Sequence, residues 1–534
     1  MYRNGLIWTA NSDREIYLLP QMANRHGIIA GATGTGKTIT MKVLAESFSD
    51  MGVPVFFSDV KGDLSGMCRP GTDSDQMRER IERFGIENFE FKSYPVRFWD
   101  IFGEQGIPVR VTVSGLGPVL LSKLFHLTEV QQGVLNIVFK AADDQGLLLL
   151  DLKDLRSMLQ YVGENRQEYT NLYGNVSSAS IGAVQRALLA FEQEEGEELF
   201  GEPELNITDW IRTDMSGRGI INILSSSRLI QSPTVYSTFL LWMLTELYEK
   251  LPEVGDLEKP RMVFFFDEAH FLFKDTPKAL TAKIEQVIKL IRSKGIGVYF
   301  VTQNPSDIPD AVLAQLSNRI QHGLRAYTPS EQKSIRAAAK AFRSNDAFDT
   351  EEALAALGTG EALISFLDEN GIPGIVENAK ILPPQSLMGA APEQEVARII
   401  AADEYDLKYR ETVDRESAYE IIERAKQVMI EEEAAAEEQK QQAILAAAAE
   451  KEAQKAAKTP GKTQSAASKT AQRAVQSAGS SVARSVSTNM INSIVGGKKS
   501  SAGTIAKRAA TNALSSVMRS GTSSIIRGLF GVKK

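Results

Sequence analysis

Eight residues near the amino terminus carry the clearest chemistry in the chain. Gly31, Ala32, Thr33, Gly34, Thr35, Gly36, Lys37 and Thr38 match, at every fixed position, the glycine-rich loop that cradles phosphates. Glycines let the backbone curl, so that successive N–H groups and the start of the following helix face an anion. Lys37 brings positive charge to the β and γ phosphates of a nucleotide, and Thr38 offers a hydroxyl to Mg2+. The expected ligands are ATP and Mg2+. No guanine-reading NKxD-like motif is evident, although base selectivity in such sites is weakly encoded.

A phosphate loop hydrolyses nothing without carboxylates. Residues 263–266 are wholly apolar and run into Asp267 and Glu268. Two acids at the carboxyl end of a buried strand stand at the sheet edge where ligands bind. Asp267 would hold the water shell of Mg2+ and Glu268 would serve as base for the attacking water. The opposing reading is a pair of acids that merely opens a loop. A second apolar run ends in Thr302, Gln303, Asn304 and Pro305, which makes Gln303 the candidate sensor of the γ-phosphate, against a plain polar cap before a proline turn. Arg292, Arg319 and Arg325 flank the same strands, and ring NTPases often neutralise the transferred phosphoryl group with an arginine from the neighbouring subunit. Taken singly, each also reads as an ordinary surface arginine. Asp59, Lys61 and Asp63 follow another strand, so Lys61 or Asp63 approaches nucleotide or else belongs to a simple turn.

The elements that must position these groups are legible. An apolar strand at 26–30, the glycine loop, a helix ending at Gly52 and a strand at 53–60 form a right-handed parallel crossover. Further strands are expected at 109–113, 219–224, 261–266, 295–302 and 318–326, with two more between 361 and 382. Most are continuous apolar runs, as in strands covered on both faces. The expected fold is α/β with a mainly parallel central sheet. Helical periodicity without strand signal marks 115–215 as an all-helical insertion between core segments 1–114 and 216–390. Another helix precedes the strand at 261, with Leu241, Trp242 and Leu244 as core residues. Residues 391–458 read as a helical extension, a solvated single helix or a coiled coil with weak heptads at Ile421, Val428 and Ala435. Residues 459–534 are rich in Ser, Ala and Gly, read first as a disordered tail and second as one or two basic amphipathic helices.

Composition narrows the classes. The 534 residues are 43% hydrophobic, enough for a large core. The single cysteine, Cys68, excludes an intramolecular disulfide and a four-cysteine zinc site, and the four histidines are scattered. No apolar run spans a membrane and the start lacks a secretory pattern, so the expected location is cytoplasmic. Net charge is −7, yet residues 453–534 hold 14 Lys or Arg and no acid, leaving 46 bases against 67 acids in the remainder. A basic tail on an acidic body suits nucleic acid, a protein partner or an anionic membrane surface.

The stretches NRHGIIAGATGTGKTITMKVLAE, FSDVKGDLSG, VFFFDEAHFLF, IRSKGIGVYFVTQNPSDIP and NRIQHGLRAYTPSEQ together resemble the HerA-like branch of the HerA–FtsK ATPases, most of all its bacterial YjgR-type group, over residues 1–390. The resemblance implies a RecA-like P-loop core, ATP with Mg2+, a homo-oligomeric ring (often a hexamer) and a motor that moves DNA. It implies Gln303 as sensor and Arg292 as the finger acting across subunits, with Arg319 in reserve. About 25 residues precede the phosphate-loop strand, so the amino-terminal barrel of HerA itself is expected to be absent. Two functions therefore stand side by side: a DNA translocase or helicase, and a nucleotide-switched assembly or interaction protein that moves no DNA.

Overall fold

The computed structural model describes residues 1–193, 196–273, 278–325 and 328–457; the basic tail expected from 459 lies outside them. Three short antiparallel strands open the chain: β1 (Tyr2–Arg3), β2 (Leu6–Asn11) and β3 (Glu15–Leu18). β4 (Gly27–Ala30), α1 (Lys37–Asp50) and β5 (Val55–Asp59) form the expected crossover. After α2 (Asp75–Arg83), β6 (Val96–Asp100) and β7 (Ile107–Pro108) come five helices, α3 (Val113–Leu124), α4 (Glu129–Gln145), α5 (Leu152–Glu164), α6 (Arg166–Tyr173) and α7 (Ser178–Gln193). The chain returns to the sheet with β8 (Ile221–Ser225), α8 (Pro233–Lys250), β9 (Met262–Phe266), α9 (Lys278–Ile291), β10 (Ile296–Thr302), α10 (Asp310–Leu313) and β11 (Asn318–His322). α11 (Pro329–Lys340) and α12 (Thr350–Ala356) precede β12 (Glu361–Ser365) and β13 (Glu377–Ile381); α13 (Glu393–Ala402), α14 (Glu404–Tyr409) and α15 (Ala418–Ala457) follow.

The strands join one sheet in the order β1-β2-β13-β12-β11-β4-β10-β9-β5-β8-β6-β7, with β3 on β2. From β11 to β7 every neighbour is parallel; from β12 outward every pairing is antiparallel. The α/β fold with a mainly parallel central sheet is thus the one observed. Its centre is aromatic on both faces. On one face Phe57, Phe265 and Tyr299 stack at 5.0 and 5.2 Å between centroids, with Phe48 of α1 leaning on them. On the other, Phe56 packs on Phe264 and on Trp210 at 5.2 and 4.7 Å. Alternate residues of a strand point to opposite faces, so an unbroken run such as Met262–Phe266 covers both. The three helical core residues expected before β9, Leu241, Trp242 and Leu244, are buried.

Several elements depart from the expectation. Residues 109–113 are not a strand: Val111 makes an isolated bridge to Phe200, and Thr112 caps α3 by accepting from Gly115 N–H. The β-branched run suits a strand, but the local hydroxyl cap wins at its end. β1 to β3 and β6 carry no expectation, because their mixed polar and apolar residues make no continuous run. In β6 the buried Arg97 is paired with Asp403 at 2.6 Å, which a sequence pattern does not reveal. Within the expected helical insertion α3 ends at Leu124, and a capping box between Thr128 and Gln131 starts α4.

Two buried charged residues on α1 fasten the chain beyond the sheet. Lys42 Nζ donates to the Leu387 and Met388 carbonyls at 2.6 and 3.2 Å. One turn on, the Glu46 carboxylate accepts from Gln385 N–H and Ser386 N–H at 2.9 Å and from the Ser386 hydroxyl at 2.6 Å. Burial pulls Lys42 down to about 8 and pushes Glu46 upward. The root of α15 packs on α5, with Ile422 and Ala425 buried, while nearly every side chain of 431–454 is exposed. Of the weak heptad positions, Ile421 is buried against the body and Ala435 is not. Among the described residues no helix is long and apolar enough to cross a membrane.

Candidate nucleotide site

β4 ends at Ala30 and the glycine loop bends from it into α1, whose first residue is Lys37. The loop is sewn to its neighbours by backbone hydrogen bonds: Gly31 N–H to Thr302, Ala32 N–H to Gly323, and Gly360 N–H to Thr35, at 3.2, 3.0 and 2.9 Å. Gly31 has no room for a side chain, since a Cβ there would lie 2.5 Å from His322 Cβ. Gly36 sits at φ 114°, outside the range L side chains adopt, and so lets Lys37 begin the helix. Lys37 is buried; its ammonium donates to the Gly31 and Ala32 carbonyls at 2.6 and 3.1 Å. Burial lowers its pKa, with Glu268 pulling in the opposite direction. Thr38 follows in the first turn, half-buried.

β9 delivers Asp267 and Glu268 at its carboxyl end, both 5% exposed. Asp267 Oδ1 accepts from Glu268 N–H at 2.9 Å, and burial together with the Glu268 charge pushes its carboxyl up to about 6. Glu268 takes the left-handed conformation, φ 47° and ψ 46°, which costs a non-glycine residue on the order of 1 kcal/mol and turns its side chain away from the strand direction. Both oxygens of Glu268 lie 3.3 Å from Gln303 Nε2, and Oε1 lies 3.1 Å from Lys61 Nζ. Lys61 belongs to a tight turn built by Asp59, whose carboxylate accepts from Lys61, Gly62 and Leu64 N–H at 3.2, 2.8 and 3.0 Å. Burial lowers the Lys61 pKa, but Glu268, Asp267 and Asp63 more than reverse this, and the net shift is upward.

The residues fit a divalent cation. The hydroxyl of Thr38 and the carboxylate of Asp267 are hard oxygen donors, and a dication would offset the burial that disfavours the Asp267 charge. Among the described residues no cluster of three or more His, Cys, Asp or Glu could hold a metal by itself.

Lys37, Asp267, Glu268 and Gln303 therefore converge, and the charged turn after β5 adds Lys61. The arginines do not join them. Arg292 is exposed at the amino end of β10, a seven-residue strand and so about 20 Å from Gln303 at its other end. Arg319 lies near the start of β11, half-buried, donating to the Leu313 carbonyl at 3.2 Å. Arg325 is exposed just past β11 and reaches the Ala355 carbonyl at 3.4 Å. One residue escaped the sequence reading altogether. His322 is fully buried behind the loop; its Nδ1 is 2.9 Å from the Glu361 carbonyl and must donate to it, so Nε2 accepts from the Thr40 hydroxyl at 2.8 Å. Only its place at the end of an expected strand could have pointed to it. α8 supports the acids from below: the Tyr236 hydroxyl meets Ser58 Oγ at 2.6 Å and the Asp267 carbonyl at 3.5 Å.

Several known proteins are similar to this chain in sequence or in fold. The family described as helicase HerA-like C-terminal matches residues 5–504. The DNA double-strand break repair helicase HerA of Sulfurisphaera tokodaii is 24% identical over 369 residues, 66% of this chain and 64% of that protein, so the chain spans just under two thirds of that relative. A probable helicase of Methanocaldococcus jannaschii is 30% identical over 151 residues, 27% of this chain and 28% of that one. Among solved structures, the bacterial conjugative coupling protein TrwB is 13% identical with a TM-score of 0.48, covering 74% of this chain and 92% of that one. With a phosphate loop, an acid pair and a mostly parallel sheet in the expected order, the chain belongs to the helicase HerA-like C-terminal family of P-loop ATPases.

Proposed function

We propose that this chain hydrolyses ATP with Mg2+ and uses the cycle to move DNA as a ring-forming motor, a helicase or translocase. The observation that carries the reading is the placement of Glu268 beyond the phosphate loop, in contact with Gln303 and beside the buried Asp267. Residues Gly31 to Thr38 hold the phosphates through backbone N–H groups, and Lys37 leaves its loop carbonyls to pair with the β and γ oxygens. Thr38 and Asp267 hold Mg2+, which supplies charge neutralisation at the transferring phosphoryl group. Glu268 accepts the proton of the attacking water, and Gln303 orients that water or reads the γ-phosphate. Arg292, exposed and remote from its own site, is assigned to the site of the next subunit of a homo-oligomer, possible geometries for which include a hexamer.

Under this reading the protein is cytoplasmic, and DNA is its polymer partner. A second reading draws on α15, whose side chains over residues 431–454 are nearly all exposed: a nucleotide-switched assembly or interaction protein that recruits a protein or membrane surface. Steady-state ATPase rates of the wild type and Glu268→Gln, with and without single- and double-stranded DNA, separate the two. Strong stimulation by DNA, lost in the variant, supports the motor. A basal rate lost in the variant and indifferent to both DNAs supports the switch.

A further inference from the structure

Lys61 has no place in the hydrolytic scheme above, yet among the described residues it is the cation nearest to Glu268. At 3.1 Å from Oε1 the Lys61 ammonium occupies an acceptor position of Glu268 that an attacking water would need. Turnover at Glu268 therefore requires this contact to loosen. The two partners are not equally able to move. Glu268 is 6% exposed in its side chain and fixed by a left-handed backbone and by Gln303; Lys61 is 41% exposed and reaches in from the solvent side on a flexible four-carbon stem. The backbone beneath that stem is pinned by the three N–H bonds to Asp59. A swing of the side chain, with the turn at rest, is the movement the geometry allows. The groups that face the ammonium are Glu268, Asp267 and Asp63, with Lys37 as the neighbouring cation. A nucleoside triphosphate seated on the loop places a denser negative charge among these same groups.

We propose that Lys61 is a transferable counter-ion: it neutralises Glu268 while the site is without nucleotide and passes to the terminal phosphate of a bound nucleoside triphosphate, releasing Glu268 to act as base. The inference rests on the ATPase reading above. In the step so prepared, the water oxygen bonds to the γ phosphorus, its proton goes to Glu268, and the bond between the γ phosphorus and the bridging oxygen breaks with its electron pair left on ADP. Lys61 then stabilises charge on the equatorial oxygens and returns to Glu268 when phosphate leaves. Loss of the terminal phosphate restores the pair, so the exchange distinguishes triphosphate from diphosphate.

The test measures hydrolysis, together with the affinities for ATP and ADP in the presence of Mg2+, for the full chain and for Lys61→Met, Lys61→Arg, Glu268→Gln and the Glu268→Gln, Lys61→Met double variant. Lys61→Met is expected to lower kcat roughly tenfold to a hundredfold with little change in KM, and Lys61→Arg to restore part of it. Glu268→Gln frees the lysine, so it should tighten ATP relative to ADP by about tenfold, a gain the double variant loses. A merely structural ion pair would give neither the selective gain for ATP nor its dependence on Lys61. The proposal is overturned if Lys61→Met keeps the wild-type kcat, or if the double variant keeps the full ATP preference. If Glu268→Gln itself hydrolyses ATP like the wild type, the underlying site reading has failed instead.

Discussion

Glu268 and Gln303 emerge from adjacent parallel strands, β9 and β10, and meet with both carboxylate oxygens 3.3 Å from one amide nitrogen. The contact spans the sheet edge directly beside the phosphate loop and fixes the glutamate where its backbone alone would not leave it. Its φ of 47° belongs to Asn or Gly more than to Glu. The strain therefore coexists with function and should be separable from it.

Glu268→Asn keeps an amide-compatible side chain, relieves the left-handed backbone and removes a buried carboxylate. Its unfolding free energy should rise by about 1 kcal/mol while turnover falls by roughly two to four orders of magnitude. Denaturant unfolding and single-turnover hydrolysis check the pair of outcomes. A destabilised variant would show that the backbone at 268 is not strained.

Within the loop, two glycines predict opposite tolerances. Gly31→Ala drives a methyl to 2.5 Å from His322 Cβ and should cost about 2 kcal/mol or more, with loss of nucleotide binding. Gly34, at φ 78° but with nothing within 4 Å of a Cβ, should cost about 1 kcal/mol as alanine. Equal losses at both positions, measured by chemical denaturation, would contradict the packing against His322.

Two buried neutral histidines give the fold an acid limit. Burial is the main reason that His26 and His322 are each lowered from 6.5 to about 4. The unfolded chain takes up their protons first as pH falls, so the stability they contribute is full above 6.5 and is lost on the way down to about 4. Between pH 7 and pH 5 the loss should be about 2 kcal/mol per histidine. His322→Gln should remove about half of that slope in urea unfolding followed across the range; an unchanged slope would rule out His322 as a source.

Mg2+ should report on Asp267 separately from nucleotide. ATP alone at a hundred times its Kd raises stability by about 2.7 kcal/mol, and Mg2+ should add to this in the wild type. In Asp267→Asn the nucleotide increment should survive and the Mg2+ increment should vanish, as read by thermal shift with and without EDTA. Loss of both increments together would place Asp267 in the fold rather than at the cation.

The parallel half of the sheet and the acids at its edge were readable because their signals are local. A glycine loop between a strand and a helix, or an apolar run ending in Asp267 and Glu268, announces itself within ten residues. The antiparallel edge was not readable, since β1 to β3 are short, mixed in polarity and joined to the sheet only where β2 pairs with β13, far along the chain. The same holds within the site. Lys61 was visible as a charge beside a strand, but its contact with Glu268 depends on β5 and β9 lying side by side. His322 gave no signal, because a buried histidine that braces a loop through Thr40 and Glu361 has the same sequence appearance as any strand-terminal residue. Arg292 carried an expectation from the family resemblance, and strand direction places it at the opposite end of β10 from Gln303.

The exposed part of α15 turns a packing detail into a matter of leverage. Residues 431–454 continue a helix whose root is seated on α5, and at 1.5 Å per residue they reach about 36 Å from the body. A tilt of about 10° at that seat sweeps the far end through about 6 Å, far more than the side-chain adjustments that could cause it. Small rearrangements among the helices between β7 and β8 would thereby be written large at the outer end of the longest helix among the described residues.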